Sequence, residues 1–127
     1  MNKNVVGWFE IPVTDMDRAI IFYQTVFDIT LSRHLLGPLD MAWFPAAENG
    51  AGTSGSLVHN ERAYKPSMDG VLIYFTAFSG DLSIELGKVE NAGGKILLPK
   101  TKISDEVGYM ALFSDSEGNR IALHSAK

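Results

Sequence analysis

Hydrophobic positions in the first part of the chain repeat every second residue and then change to a helical spacing. Residues 5–13 are rich in β-forming side chains and alternate between two faces, which predicts a strand. One face holds Phe9, Ile11 and Val13, and the other holds Trp8, Glu10 and Pro12. Residues 14–17 offer side chains that cap helices, and hydrophobic residues recur with helical spacing from Met16 onward. A helix is therefore expected from Met16 to about Asp28.

The rest of the chain repeats this order of elements. Three shorter strands are predicted after the first helix, at about 30–36, 39–44 and 53–59. Residues 60–70 have no sustained periodicity and form the natural connector. The strands of the second half are predicted at about 71–78, 95–99, 108–113 and 119–124. Between the first two of them, Asp81 caps a predicted helix and the Gly93-Gly94 pair ends it.

Two successive β-α-β-β-β patterns define an α+β fold of paired modules. We predict one domain over residues 1–127, with module one at about 1–60, the connector at 60–70 and module two at about 71–127. The halves share little residue identity, so the repeat is one of pattern. With 46% hydrophobic residues, a chain of 127 residues can bury a core without a disulfide or a metal.

The composition excludes several functional classes. Because the chain has no cysteine, it has no disulfide, no Cys-ligated metal and no thiol nucleophile. The net charge of −4 and the scattered basic residues argue against a nucleic-acid or anionic-membrane surface. The longest apolar run, Val71–Phe75, is too short to span a bilayer. We therefore expect a cytoplasmic protein that binds neither nucleic acid nor membrane.

Three segments resemble one known family. They are FEIPVTDMDRA at 9–19, VENAGGK at 89–95 and DSEGNRI at 115–121. In this order and spacing, on the doubled pattern, they resemble the vicinal oxygen chelate superfamily, also called the glyoxalase/bleomycin resistance/dioxygenase group. The resemblance covers nearly the whole chain. It implies modules whose sheets curl into an open cup, with a divalent metal that chelates two oxygens of a substrate.

The resemblance does not extend to the family's metal ligands. The positions that carry His, Glu or Gln ligands in the family fall here on Trp8, on Val71 or Leu72, on Ala122, and near Ser56 or Leu57. None of these side chains is a good ligand for a divalent metal. We therefore predict that the usual chelate site is absent and that no metal or other cofactor is bound there.

Glu10 and His124 are the candidate catalytic residues. Since side chains on one face of a strand recur every second residue, Glu10, His124 and Tyr74 are expected to face the cup, like Trp8, Ala122 and Leu72. Three interpretations of the carboxylate and the imidazole remain open. They form a structural polar pair, a general acid/base pair, or, with His59, a displaced metal site.

Aromatic residues offer a second hypothesis for the cup. Trp8, Trp43 and Tyr74 are candidate walls of a small-molecule site, with His59 at a strand end beside it and the glycine-rich loop 46–56 as its lip. The chain is thus either a lyase or isomerase of a small oxygen-rich or carbonyl compound, or a non-catalytic, drug-sequestering binder. In both cases the partners are a small molecule and, by the habit of the family, a second copy in a homodimer.

Overall fold

A computed structural model describes residues 3–127. Within that range it contains eight strands and two helices. They are β1 Phe9–Pro12, α1 Met16–Phe27, β2 Ser32–Leu36, β3 Leu39–Trp43, β4 Gly55–His59, β5 Ile73–Thr76, α2 Leu82–Leu86, β6 Lys95–Ser104, β7 Gly108–Ser114 and β8 Arg120–Ser125. No helix in the described part is long and apolar enough to cross a bilayer.

Each half of the chain forms its own four-stranded mixed sheet. Sheet one has the order β1-β4-β3-β2, and sheet two has the matching order β5-β8-β7-β6. In each sheet the first strand pairs in parallel with the last, and the other pairs are antiparallel. The sheets do not close into a barrel. This arrangement confirms the predicted α+β fold of two β-α-β-β-β units.

Helix α1 packs on sheet one, and two of its aromatic side chains also contact sheet two. Asp15 caps its first turn by accepting a hydrogen bond from the Arg18 backbone, and Asp28 ends it in the left-handed conformation at φ 54°. Phe22 packs on Phe113 of β7, and Phe27 stacks on Phe75 of β5. The two sheets and both helices therefore share one hydrophobic core.

The sharing of one core fixes the direction in which each sheet faces. Ile11 and Leu57 of sheet one and Ile121 and Leu123 of sheet two belong to this core. Because side chains alternate across a strand, the residues between them point to the other side of each sheet. We call these sides the outer faces. They turn away from the shared core, and so from each other.

Four elements differ from their predicted lengths. Strands β1 and β5 have four residues each, Phe9–Pro12 and Ile73–Thr76, where about 5–13 and 71–78 were predicted. Strand β6 runs to Ser104 instead of ending at Pro99, with irregular pairing to β7 along its length. Its position at the edge of sheet two allows a proline, since one side of the strand needs no backbone donors. The second helix is only Leu82–Leu86, and turns rather than regular helix carry Val89 into the core.

Candidate functional site

Four polar side chains form a line across the outer face of sheet one. The strand register pairs Glu10 with Ser56, Ser56 with Trp43, and Trp43 with Ser32. Since neighbouring strands are about 4.8 Å apart, these side chains follow one another from β1 to β2. We call Glu10, Ser56, Trp43 and Ser32 the polar row. It places a carboxylate, a hydroxyl, an indole N–H and a second hydroxyl side by side.

Aromatic rings cover the middle of the polar row. The His34 ring stacks on Trp43, with centroids 3.7 Å apart and planes 25° apart. Trp8 packs edge-on against Trp43 at 5.9 Å, and 43% of its surface is exposed. The structure thus brings together two of the predicted wall residues, Trp8 and Trp43. The place of His34 in this stack follows only from the register of β2 with β3, which the hydrophobic pattern does not determine.

The connector supplies a further side chain to the outer face of sheet one. Tyr64 donates a hydrogen bond of 2.6 Å to Glu10 Oε1. This bond, together with partial burial and the charge of the carboxylate, raises the pKa of Tyr64. The connector is held at its far end, where the Ser67 backbone N–H donates to Asn119 Oδ1. Tyr64 was not predicted as a site residue, because the connector has no periodicity that indicates where its side chains point.

Three buried polar side-chain atoms have no hydrogen-bond partner within residues 3–127. They are Trp43 Nε1, Ser56 Oγ and Arg120 Nε. Trp43 and Ser56 belong to the polar row, and the register of β8 puts Arg120 on the outer face of sheet two, opposite Ser114. Buried polar groups in proteins are nearly always paired. The unpaired polar atoms on the two outer faces therefore need hydrogen-bond partners that do not belong to this chain.

His124 lies on the outer face of sheet two, level with Thr76 and Met110. Its Nε2–H donates to the Val107 carbonyl at 2.6 Å, which leaves Nδ1 as the proton acceptor of the neutral ring. Glu10 is on the outer face of the other sheet. Within the described residues, no hydrogen bond or ion pair of this chain joins the two side chains.

The remaining predicted site residues lie apart from the polar row. His59 points to the side of sheet one opposite Glu10, where its Nδ1–H donates to the Val13 carbonyl at 3.0 Å. Tyr74, half exposed, lines a cavity of about 530 Å³ between β5 and the glycine-rich loop. Five phenylalanines contribute to the wall of this cavity: Phe9, Phe27, Phe44, Phe75 and Phe78. The cavity wall also includes Thr53, Ser54 and Thr76, but none of its residues carries an unpaired buried polar atom like those of the polar row.

The comparison with protein families identifies the origin of this architecture. The model of the Glyoxalase/Bleomycin resistance protein/Dioxygenase superfamily matches residues 5–123. The chain belongs to this superfamily. None of the curated proteins matches it.

Solved structures share the glyoxalase-like fold at low sequence identity. A glyoxylase/bleomycin resistance protein/dioxygenase domain from Frankia sp. EAN1pec aligns with a TM-score of 0.74 at 17% identity, covering 98% of this chain and 99% of that one. TnmS3, an antibiotic binding protein from Streptomyces sp. CB03234, aligns at 0.68 and 24% identity, covering 100% and 99%. A glyoxalase I mutant from Zea mays aligns at 0.69 and 18% identity, covering 94% of this chain. The chain spans only 46% of that maize enzyme.

The metal that glyoxalase-like folds commonly hold does not fit the residues of this chain. Trp8 and Ala122 stand at two of the inferred ligand positions, and neither offers a donor atom that suits a divalent cation. In residues 3–127, no three His, Asp or Glu side chains lie close enough together to hold an ion. The three residues considered for a displaced metal site are not brought together either. Glu10 contacts Tyr64, His59 contacts the Val13 carbonyl, and His124 contacts the Val107 carbonyl.

Proposed function

We propose that this glyoxalase-like protein binds a planar small molecule on the outer face of sheet one and releases it unchanged. The observation that carries the proposal is the stack of His34, Trp43 and Trp8 over the polar row. Aromatic rings offer a large contact area with few rotamers to fix, and Trp8 is exposed enough to take a ligand ring. TnmS3, an antibiotic binding protein with the same fold, supports this class of activity.

We further propose that a second copy of the chain completes the site. The two outer faces turn away from each other, so one chain offers two halves and no whole cup. Large apolar side chains remain exposed near the start of both halves, among them Val5, Val6 and Val71. A partner chain packed on them would remove this apolar surface from water. In such a homodimer, sheet one of each copy would face sheet two of its partner.

Binding can be tested with 5,6,7,8-tetrahydro-2-naphthol, which presents one flat phenol ring, and ¹⁵N NMR of the two tryptophan indole groups. We expect both indole signals to shift in a saturable way and the probe to be recovered unchanged. Trp43→Leu should weaken binding by on the order of tenfold or more, because it removes the stacking surface. Phe78→Leu, on the exposed rim of the separate cavity, is the matched control and should leave the affinity unchanged. Absence of any saturable shift would contradict the proposal.

A second candidate function is acid/base catalysis on a small carbonyl compound by a lyase or isomerase. Glu10 and His124 would then act together across the dimer, since each lies on the outer face of a different sheet. The engagement of His124 Nε2–H by Val107 supports this role, because it leaves Nδ1 available as a base.

The contact of Glu10 with His124 is measurable from the NMR signals of the histidine rings. If Glu10 faces His124 across the dimer, Glu10→Gln should shift the ring signals of His124, because it removes a charge beside the imidazole. The shift should appear only at concentrations where the dimer is populated. Unchanged His124 signals in the dimeric variant would remove this candidate and leave the binding function in place.

A further inference from the structure

We propose that Trp43 Nε1 and Ser56 Oγ together bind a carbonyl oxygen of the ligand, and that Glu10 receives a hydroxyl group of the same molecule. The inference rests on the proposed binding function and adds the chemical class of the ligand, which is a neutral, planar hydroxy ketone. The polar row then binds two oxygens of the ligand, one that accepts hydrogen bonds and one that donates. The residues that bind them lie on neighbouring strands.

The two donors are the strongest indication of a missing acceptor. Ser56 is completely buried, Trp43 Nε1 is shielded from water, and neither atom has a partner within the described chain. An indole N–H can only donate, so its missing partner must be an acceptor. Ser56 and Trp43 are directly paired in the register of β3 and β4. Side chains paired in this way are about 5 Å apart at Cβ, close enough for both to reach one oxygen.

Glu10 defines the other half of the pattern. It is the register partner of Ser56 on the side away from Trp43, so its carboxylate lies one strand further along the row. Tyr64 occupies Oε1, and no side chain or backbone group within residues 3–127 donates to Oε2. An ionised carboxylate is an acceptor only, so the group it takes from a ligand must be a donor such as a hydroxyl.

Charge argues for a neutral ligand. The row contains a carboxylate and no cationic side chain, and its donors are a neutral indole and a neutral hydroxyl. A second carboxylate or a phosphate placed one strand from Glu10 would be repelled. A ketone oxygen accepts hydrogen bonds without adding a charge.

Access to the two donors depends on Trp8. This residue precedes β1, packs edge-on against Trp43 and is the most exposed ring of the stack. Because Trp8 lies outside β1, we expect its side chain to turn away from Trp43 without a change in the strand pairing. A flat ligand can then take its place against the Trp43 ring, with its carbonyl directed at the row.

The test compares three probes of one shape by calorimetry. They are 7-hydroxy-1-tetralone, 1-tetralone, which lacks the hydroxyl, and 5,6,7,8-tetrahydro-2-naphthol, which lacks the ketone. Ser56→Ala and Trp43→Phe remove the two donors and keep most of the local shape, and Glu10→Gln removes the charge. Ser54→Ala is the matched control, because the Ser54 hydroxyl is already bonded to the Phe44 carbonyl.

We expect Ser56→Ala and Trp43→Phe each to weaken the binding of both ketones about tenfold, relative to the binding of 5,6,7,8-tetrahydro-2-naphthol. Glu10→Gln should instead weaken the binding of the two probes that carry a hydroxyl, relative to the binding of 1-tetralone. Equal losses for all three probes would overturn the inference and leave the binding function standing. Affinities that no variant changes would do the same, because they would mean that ordered water satisfies the donors. If no probe binds the wild-type protein, both proposals fail.

Discussion

Arg18 and Glu117 form a two-pronged ion pair that joins the start of α1 to the loop between β7 and β8. Arg18 Nε donates to Oε2 at 2.7 Å, and one of its terminal nitrogens donates to Oε1 at 2.9 Å. The backbone N–H groups of Thr14 and Asp15 also donate to Oε1. Burial alone would raise the pKa of Glu117, but these hydrogen bonds outweigh it and lower the pKa to about 2. Glu117 therefore satisfies helix-end donors that α1 cannot satisfy itself.

Glu117→Gln should destabilise the protein in a pH-dependent way. Because the folded-state pKa of about 2 lies below the ordinary value of 4.5, ionised Glu117 contributes its full stability above about pH 5. That contribution is lost as the pH falls from about 4.5 to 2. Allowing for the exposed guanidinium, we expect a loss of about 2 kcal/mol at pH 7. Urea denaturation of both proteins at pH 7 and pH 3 measures the difference.

The control for this prediction is Glu106→Gln in the exposed turn between β6 and β7. It removes one negative charge without touching the α1 terminus, so its effect at pH 7 should stay within about 0.5 kcal/mol. If the two glutamine variants lose the same stability, or if the Glu117 difference does not shrink toward pH 3, the ion pair is not the source.

Tyr23→Phe should cost about 1–3 kcal/mol, because it leaves a buried acceptor with one partner fewer. The Tyr23 hydroxyl donates to Asp115 Oδ2 at 2.6 Å inside the core. Burial, with the charge and hydrogen bond of Asp115, raises the pKa of Tyr23 well above 10. In an ultraviolet titration, Tyr23 should therefore ionise only when the protein unfolds at high pH. Tyr74→Phe, at a half-exposed ring, is the control and should change stability little.

Sedimentation velocity should give twice the 13.9 kDa of one chain at micromolar concentration. Val71 is 91% exposed in the single chain, so Val71→Asp should weaken the association at least tenfold by placing a charge in the interface. Ile84→Asp tests a second exposed apolar residue on the outer side of α2 and should leave the mass unchanged. A wild-type protein that sediments only as the single chain would contradict the proposed dimer.

Elemental analysis after dialysis against a weak chelator should find no stoichiometric divalent metal. The physical reason is the lack of donor atoms at Trp8 and Ala122. About one zinc, nickel, iron or manganese per chain would reverse this prediction. In that case Glu10→Gln and His124→Gln, measured against Glu106→Gln, would show whether the displaced residues hold the ion.

Periodicity predicted the elements that bury one clear face. Helix α1 matches its predicted start at Met16, and the alternation in β1 placed Ile11 in the core and Glu10 on the outer face. Strand β6 was predicted too short, because an edge strand with polar residues on both sides carries no clean alternation beyond Pro99. These outcomes show that pattern locates a strand best where one side is buried.

The candidate site was predictable only within a single strand. Alternation assigned Glu10 and His124 to cup-facing positions, but it contains no information on which direction each sheet faces in the folded chain. That depends on the packing of α1 against both sheets. Ser56 and Trp43 are neighbours because of the register between β3 and β4. A long loop joins these two strands, and the sequence pattern does not determine the register across it.

The hydrogen bonds between the loop 115–119 and the first half also bear on whether each half can fold alone. Thr14 and Asp15 bind a carboxylate that lies 103 and 102 residues away, and Tyr23 binds one 92 residues away. Neither half, synthesised alone, would contain both sides of these contacts. A chain cut within the connector should therefore yield two poorly structured peptides that regain the native structure on mixing. We therefore expect the repeated halves to fold as one cooperative unit and not as two independent ones.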